Sequence, residues 1–514
     1  MKKVKRIREK ILLHPIMTFL ILIGVTIIIS GILELFAFHG DYSVSNANTN
    51  SLETKTVIVK SLFSLSGVKY IFSNTVSNFA SFAPLVNLII ILLGIGIMDK
   101  SGFLETFFYA LTHKVRKTVV TFALVLLGIL LSIVGDISFV VLIPLSALLF
   151  KYGKRHPQAG IITAFASIAC GSAINIFLNA TDSSLISYTE NAAHVLDKTY
   201  SFSYFGLIFI IILAAVALAF IITNITEKIT IPKLGKYEFE EIEEKVVLTK
   251  KEKRGLLIAA FFGIIYLLIF IYNIIPGLPF SGNLLDYSQT RYIDKLFGYN
   301  SFFNSGFIFI ITLLFFILGL AYGIGAKTIG NHKDVCLDIS HSLDYLGKTL
   351  VLIFFASTFI SIFKYTEIGN VITALLSGLI SNSNFAGIPL IILVFLVSVV
   401  ATIFVPQTVT KWSILSGSIV PTMMNAGMSA EFAQLVFRAG ESIAYGLTPM
   451  LAYFVIYLAF MEQYNQDSKG ISIGKTIKYI MPYAMFTLVM WLVLLIISYL
   501  IGLPIGIGAS AIIK

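Results

Sequence analysis

The sequence predicts an all-α polytopic membrane protein, and three observations carry that prediction. Apolar residues make up 57% of the 514-residue chain and charged residues only 12%, about half the charged share of an ordinary soluble domain. Runs with almost no charge recur at Ile16 to Phe38, Tyr204 to Thr223, Leu256 to Ile271, Phe307 to Tyr322 and Tyr483 to Ile501, each near the roughly 20 residues that a helix needs to cross hydrocarbon. Other apolar runs dissolve into polar residues with no soluble-looking break, as in "IPLIILVFLVSVVATIFVPQTVTKWS".

The elements follow in order. The basic start "MKKVKRIREK" predicts a cytoplasmic N-terminus ahead of a retained first span, since positive flanks stay inside. Residues 39 to 80, rich in Ser, Asn and Thr, read as an external segment, and a second span over Pro84 to Met98 returns the chain. "DKSGFLETFFYALTHKVRK" has the spacing of an interfacial amphipathic helix. Two short apolar arms around Gly135 and Asp136, with basic loops at both ends, predict a helical hairpin over about residues 118–152. An interrupted helix over about 158–195 and the span from Tyr204 complete a first half, residues 1–223.

Residues 224–255 mix acids and bases with no apolar run and read as a cytoplasmic linker. The second half, 256–514, repeats the layout. An amphipathic stretch precedes a hairpin over about 349–380, with Lys364, Glu367, Gly369 and Asn370 at its bend. An interrupted helix over about 386–425, a broken helix over about 429–461 and a last span over about 479–502 follow. Two structural repeats with interrupted helices at matching places point to the binding site of a transporter. The net charge of +10 sits in short loops beside spans, which explains it by orientation and excludes nucleic acid as a partner. Cys170 and Cys336 show no pairing or metal spacing.

Non-helical backbone at membrane depth persists only where protein or a wet cavity satisfies its polar groups. The run "GSAINIFLNATDSS" therefore marks a cavity, with Asn175, Asn179, Thr181 and Asp182 offering the hard oxygen ligands that a small cation such as sodium prefers. The alternative is local: Asp182 as N-cap of the following helix. In the other half, Gln407, Thr408, Thr410, Lys411, Trp412 and Ser413 precede a helix on which Arg438 and Glu441 stand three apart. Charges inside a span are costly and mark function by default, although Arg438 and Glu441 equally form a self-neutralising pair. A guanidinium beside a cavity suits a carboxylate, and Trp412 suits an aromatic ring. No phosphate-binding loop, zinc-binding helix or nucleophile–base pair occurs. A secondary transporter with no cofactor beyond its coupling ion is favoured over an enzyme; an ion channel and a dicarboxylate or amino-acid carrier are the alternatives.

These pieces resemble the AbgT family, the p-aminobenzoyl-glutamate transporters, over nearly the whole chain. The matching motifs are "GDISFVVLIPLSALLF" with "GKRHPQAG", the Asn175 to Asp182 spacing, Lys411-Trp412, and "FRAGES" from Phe437 with Thr448-Pro449. The resemblance implies an elevator-like carrier of about nine transmembrane helices and two re-entrant hairpins, assembled as a homodimer in the cytoplasmic (inner) membrane. It implies uptake of p-aminobenzoyl-glutamate or export of sulfonamide-like antimetabolites, on a sodium or proton gradient. Asn175, Asp182, Lys411, Trp412, Arg438, Glu441 and Pro449 are then substrate-binding candidates. Asp136, Asn179, Thr181, Asp182, Thr408 and Glu441 are ion-coupling candidates. The chain departs from the family pattern at Pro406, Val409, Ala430 and Asn179, and carries Glu441 where the family usually has Asp.

Overall fold

The computed structural model describes residues 13–513 except 48, 177–178, 240–246, 299–300, 345, 469 and 503. The basic N-terminal cluster and part of the expected linker thus lie outside the described residues. The first described helix is α1 (Pro15–Leu35), capped by the His14 ring and opened by a proline whose missing N–H costs nothing at that position. An antiparallel hairpin of β1 (His39–Asn46) and β2 (Ser51–Ile58) follows, His39 facing Ile58. Then come α2 (Leu65–Ala80), α3 (Ala83–Lys100) and the short amphipathic α4 (Phe103–Thr112).

The first helical hairpin is α5 (Lys117–Leu130), a 3-10 turn over Leu131–Val134, and α6 (Ile137–Tyr152). Gly135 at its bend takes φ +62, a left-handed conformation that favours glycine. The first interrupted helix is α7 (Pro157–Gly171) and α8 (Ala180–Ala193). α9 (Ile208–Ile225) runs through a π turn into α10 (Ile231–Leu234).

α11 (Lys250–Ile274) starts on a capping box of Thr249 and Glu252. α12 (Tyr292–Phe297), α13 (Phe302–Ala326) and the amphipathic α14 (His332–His341) lead to the second hairpin, α15 (Leu346–Tyr365) and α16 (Ile368–Ser381). The second interrupted helix is α17 (Ile388–Phe404) and α18 (Thr408–Asn425); the broken helix is α19 (Ala430–Ala444) and α20 (Phe454–Gln463). α21 (Ile473–Ile501) and a small pairing of β3 (Pro504–Gly506) with β4 (Ala509–Ser510) end the fold.

Among the described residues eight helical stretches are long and apolar enough to cross a membrane. The shorter apolar helices α6, α7, α16, α17 and α20 are second hairpin arms or halves of broken helices. Their shortness matters because each ends inside the protein, where backbone groups find protein partners. Every residue of α7 and of α19 is buried, the pattern of a helix surrounded on all sides. The expected external segment holds the β-hairpin, and β1 packs on α16 and α18. Glycine permits that approach: a Cβ on Gly417 would stand 2.0 Å from the Ser43 carbonyl.

Candidate functional site

The first break spans Ser172 to Asn179, between α7 and α8. Its helix start is a capping box: the Asn179 side chain accepts from the Asp182 N–H at 3.0 Å, and the Asp182 carboxylate accepts from the Asn179 N–H at 3.2 Å. The N-cap is therefore Asn179, and Asp182 stands at the third helical position instead of capping the helix itself. Its carboxylate also takes both contacts from the Asn175 amide, at 2.9 and 3.0 Å. The Asn179 amide donates to the Ser132 carbonyl and the Ser132 hydroxyl to the Ile174 carbonyl, tying the break to the first hairpin. Among the described residues two buried oxygens of this break, Asn175 Oδ1 and Ser172 Oγ, have no hydrogen-bond partner, which leaves unspent ligand capacity there.

The second break, Val405 to Gln407, lies between α17 and α18. Pro406 supplies no N–H, and its carbonyl accepts from the Lys411 ammonium at 3.3 Å. Lys411 is 0% exposed. It donates to Glu441 Oε1 at 2.8 Å and to the Thr402 hydroxyl at 2.9 Å. Glu441, also 0% exposed, accepts further from Thr408 at 2.5 Å and from the Arg438 guanidinium. Such a buried charge cluster persists only because each charge is paired and hydrogen-bonded. Arg438 in addition donates to the Ser172 carbonyl in the first break and, at 3.4 Å, to Thr408 in the second. One guanidinium thus bridges both interrupted helices.

Cavities of about 40 and 50 Å³ flank Arg438. Asn175, Asp182 and Gln434 line one; Asp136, Asn179, Thr181, Thr408 and Tyr445 line the other. Asp136 accepts from the Tyr445 hydroxyl at 2.5 Å. Trp412 is 0% exposed. Its ring stacks on Phe437 at 4.4 Å and its indole N–H donates to Thr189 at 3.0 Å, so α18, α8 and α19 meet there and the ring faces protein. Pro449 is partly buried in the break before α20, beside Thr448, whose hydroxyl donates to the Ile403 carbonyl of α17.

The comparison with known families decides the identity: the model described as "AbgT putative transporter family" matches residues 1–513. The chain belongs to the AbgT family. It is 29% identical over 505 residues to the p-aminobenzoyl-glutamate transport protein of Escherichia coli (strain K12), covering 98% of this chain and 95% of that one. Among solved structures it is 30% identical to Neisseria gonorrhoeae MtrF, whose structure is said to illuminate a class of antimetabolite efflux pumps. Both chains are covered to 98%, with a TM-score of 0.48. It is 26% identical to the Alcanivorax borkumensis YdaH transporter, whose crystal structure is said to reveal an unusual topology, over 96% of this chain and 100% of that one, with a TM-score of 0.48. The protein is a multi-pass membrane transporter, not an enzyme.

In this AbgT-family transporter Asp136, Asn175, Asn179, Thr181, Asp182, Thr408, Lys411 and Glu441 converge around Arg438, whereas Trp412 packs on Phe437 and Gln407 and Thr410 line a separate cavity with Lys364 and Glu367 at the second hairpin's bend. The Asn175, Asn179 and Asp182 set offers a cation one free oxygen, Asn175 Oδ1, while the Asn179 oxygen and both Asp182 oxygens are engaged within the break. Sequence reasoning missed Ser172, Thr189, Thr402 and Tyr445. Thr402 carried a faint signal, a hydroxyl four residues before Pro406 in an apolar run. The other three contribute through contacts between elements far apart in the chain.

Proposed function

We propose that this AbgT-family transporter is a secondary active carrier of p-aminobenzoyl-glutamate or related aromatic and acidic solutes, driven by a sodium or proton gradient. The bridging of both helix breaks by Arg438 carries the reading. A solute carboxylate competes for the guanidinium with the Ser172 carbonyl, a neutral and weaker acceptor, while Glu441 keeps the arginine oriented. Binding and the relative placement of the two breaks are thereby linked. For the aromatic part, Trp412 becomes a stacking partner once α18 and α19 part far enough to expose it. The unpartnered Asn175 Oδ1 and Ser172 Oγ are the oxygens a coupling cation would use.

The name of the Escherichia coli relative supplies the solute class, and the description of MtrF adds antimetabolite efflux as a related cargo. In this reading the carrier is a homodimer in the cytoplasmic membrane, with its N-terminus inside, and moves its site by an elevator motion. Competition in proteoliposomes separates it from a dicarboxylate or amino-acid carrier. Labelled p-aminobenzoyl-glutamate flux should fall with unlabelled aromatic conjugates and stay unchanged with equimolar glutamate; strong competition by glutamate alone would favour the other carrier.

A further inference from the structure

The cavities beside Arg438 have room for a water molecule or a small ion. A cavity of about 450 Å³ lies elsewhere, within the size range of small-molecule sites. One wall is α3 and the end of α14; the other is α6 and the end of α20; linker residues 237–239 cross between them. α6 starts beside Asp136 at the central site, and Pro144, Leu148 and Lys151 further along it line this cavity. At about 1.5 Å per helical residue, Asp136 and Pro144 are about 12 Å apart, so one helix joins the two places.

The chemistry of the walls is selective. Of the carboxylates, Asp99 is held by the Tyr152 hydroxyl at 2.6 Å and Asp344 by the His341 ring at 2.8 Å. Among the described residues neither Lys100 nor Lys151 has an ion-pair partner. Their two ammonium groups share the cavity wall with the carboxylates of Asp99, Glu238 and Asp344. Phe460 and Tyr464 at the end of α20, with Tyr237 and Phe239 from the linker, add aromatic faces.

The linker is docked by specific contacts. The Glu238 N–H donates to Gln466 Oε1 at 3.0 Å, and the Gln466 amide returns a bond to the Glu238 carbonyl at 2.7 Å. Tyr237 stands edge-on to His156 at 5.1 Å, and the Lys154 ammonium lies 6.0 Å from the centre of the Phe239 ring.

We propose that this cavity is a second solute site, which takes an aromatic carboxylate on its way to or from the site at Arg438. Lys100 and Lys151 bind the carboxylates, the rings of α20 and the linker pack on the aromatic part, and the docked linker closes one side. The solute class rests on the carrier reading; the site rests on the cavity.

Equilibrium binding of radiolabelled p-aminobenzoyl-glutamate to the full chain in detergent tests it, with melting curves confirming that each variant is folded. The parent should bind more than one equivalent. Arg438→Ala should retain a component that Lys100→Gln with Lys151→Gln weakens by about tenfold or more, as the loss of charge-assisted contacts requires. If the double variant does not fold, Lys100→Gln alone, at an exposed position, should weaken the same component less. Complete loss of binding in Arg438→Ala, or parent-like binding in the folded lysine variant, would overturn the second site. A parent that binds no solute would overturn the solute class of the carrier reading and the proposal together, so the two failures are told apart by the parent isotherm.

Discussion

Glu441 stands between two cations, Lys411 and Arg438, with no exposure to solvent. Removing its charge leaves two like charges facing each other in a medium that screens poorly. Glu441→Gln should therefore destabilise the protein by about 3–5 kcal/mol, the range for breaking a buried pair from one side; denaturant unfolding in detergent checks this. Lys411→Met should cost less, because Arg438 still neutralises the carboxylate. The i, i+3 spacing of Arg438 and Glu441 was legible in the sequence, and it left a structural pair and a ligand site equally open. Both readings touch the geometry, since Glu441 neutralises Arg438 while the guanidinium also reaches the Ser172 carbonyl. That last contact was not legible, because 266 residues separate its partners and no local pattern encodes such a distance. By sequence Trp412 suits an aromatic ligand; its stacking on Phe437 follows no local rule, because the two rings stand on different helices and meet only through the packing of α18 and α19.

At the level of the elements, the apolar runs and their polar interruptions were legible because a bilayer demands both the length and the satisfaction of broken backbone. The cap inside the first break was legible only in part. "NATD" has the composition of a capping box, and the geometry puts Asn179 at the cap and Asp182 three residues on. Asn179→Ala should cost about 1 kcal/mol of stability, because the Asp182 N–H loses its side-chain acceptor and the Ser132 carbonyl its amide donor, checked by unfolding midpoints of the two proteins. The β-hairpin over 39–58 was not legible, since Ser, Asn and Thr read as loop and its strands depend on β1 docking against α16 and α18. His156 offers a pH-dependent cap at the start of α7, where its Nδ1 accepts from the Gln158 N–H. Burial pushes its imidazole down to about 4 from 6.5. The native ring stays neutral while the unfolded chain takes up a proton below pH 6.5, so this contribution is full above that value and is lost as pH falls toward 4. Melting curves across that window should show the loss, and His156→Asn, which keeps a capping acceptor without titrating, should flatten it.

For the whole molecule, two interrupted helices from opposite halves of the chain meet at one arginine, and in the proposed function that meeting links solute binding to conformation. The repeated layout of hairpin and interrupted helix was legible as a pattern of hydropathy. The joining of the two breaks was not, because it is a property of packing between halves. If Arg438 is the group that binds solute, gradient-driven transport depends on it more steeply than stability does, since Lys411 continues to pair Glu441 when the guanidinium is removed. The most direct measurement is accumulation of labelled p-aminobenzoyl-glutamate in proteoliposomes under an imposed sodium or proton gradient, for the parent and for folded Arg438→Ala. Accumulation above equilibrium is expected in the parent, collapsing with the gradient, and is expected to be absent in Arg438→Ala. Transport by Arg438→Ala at the parent rate, or no gradient-driven flux in the parent, would contradict it.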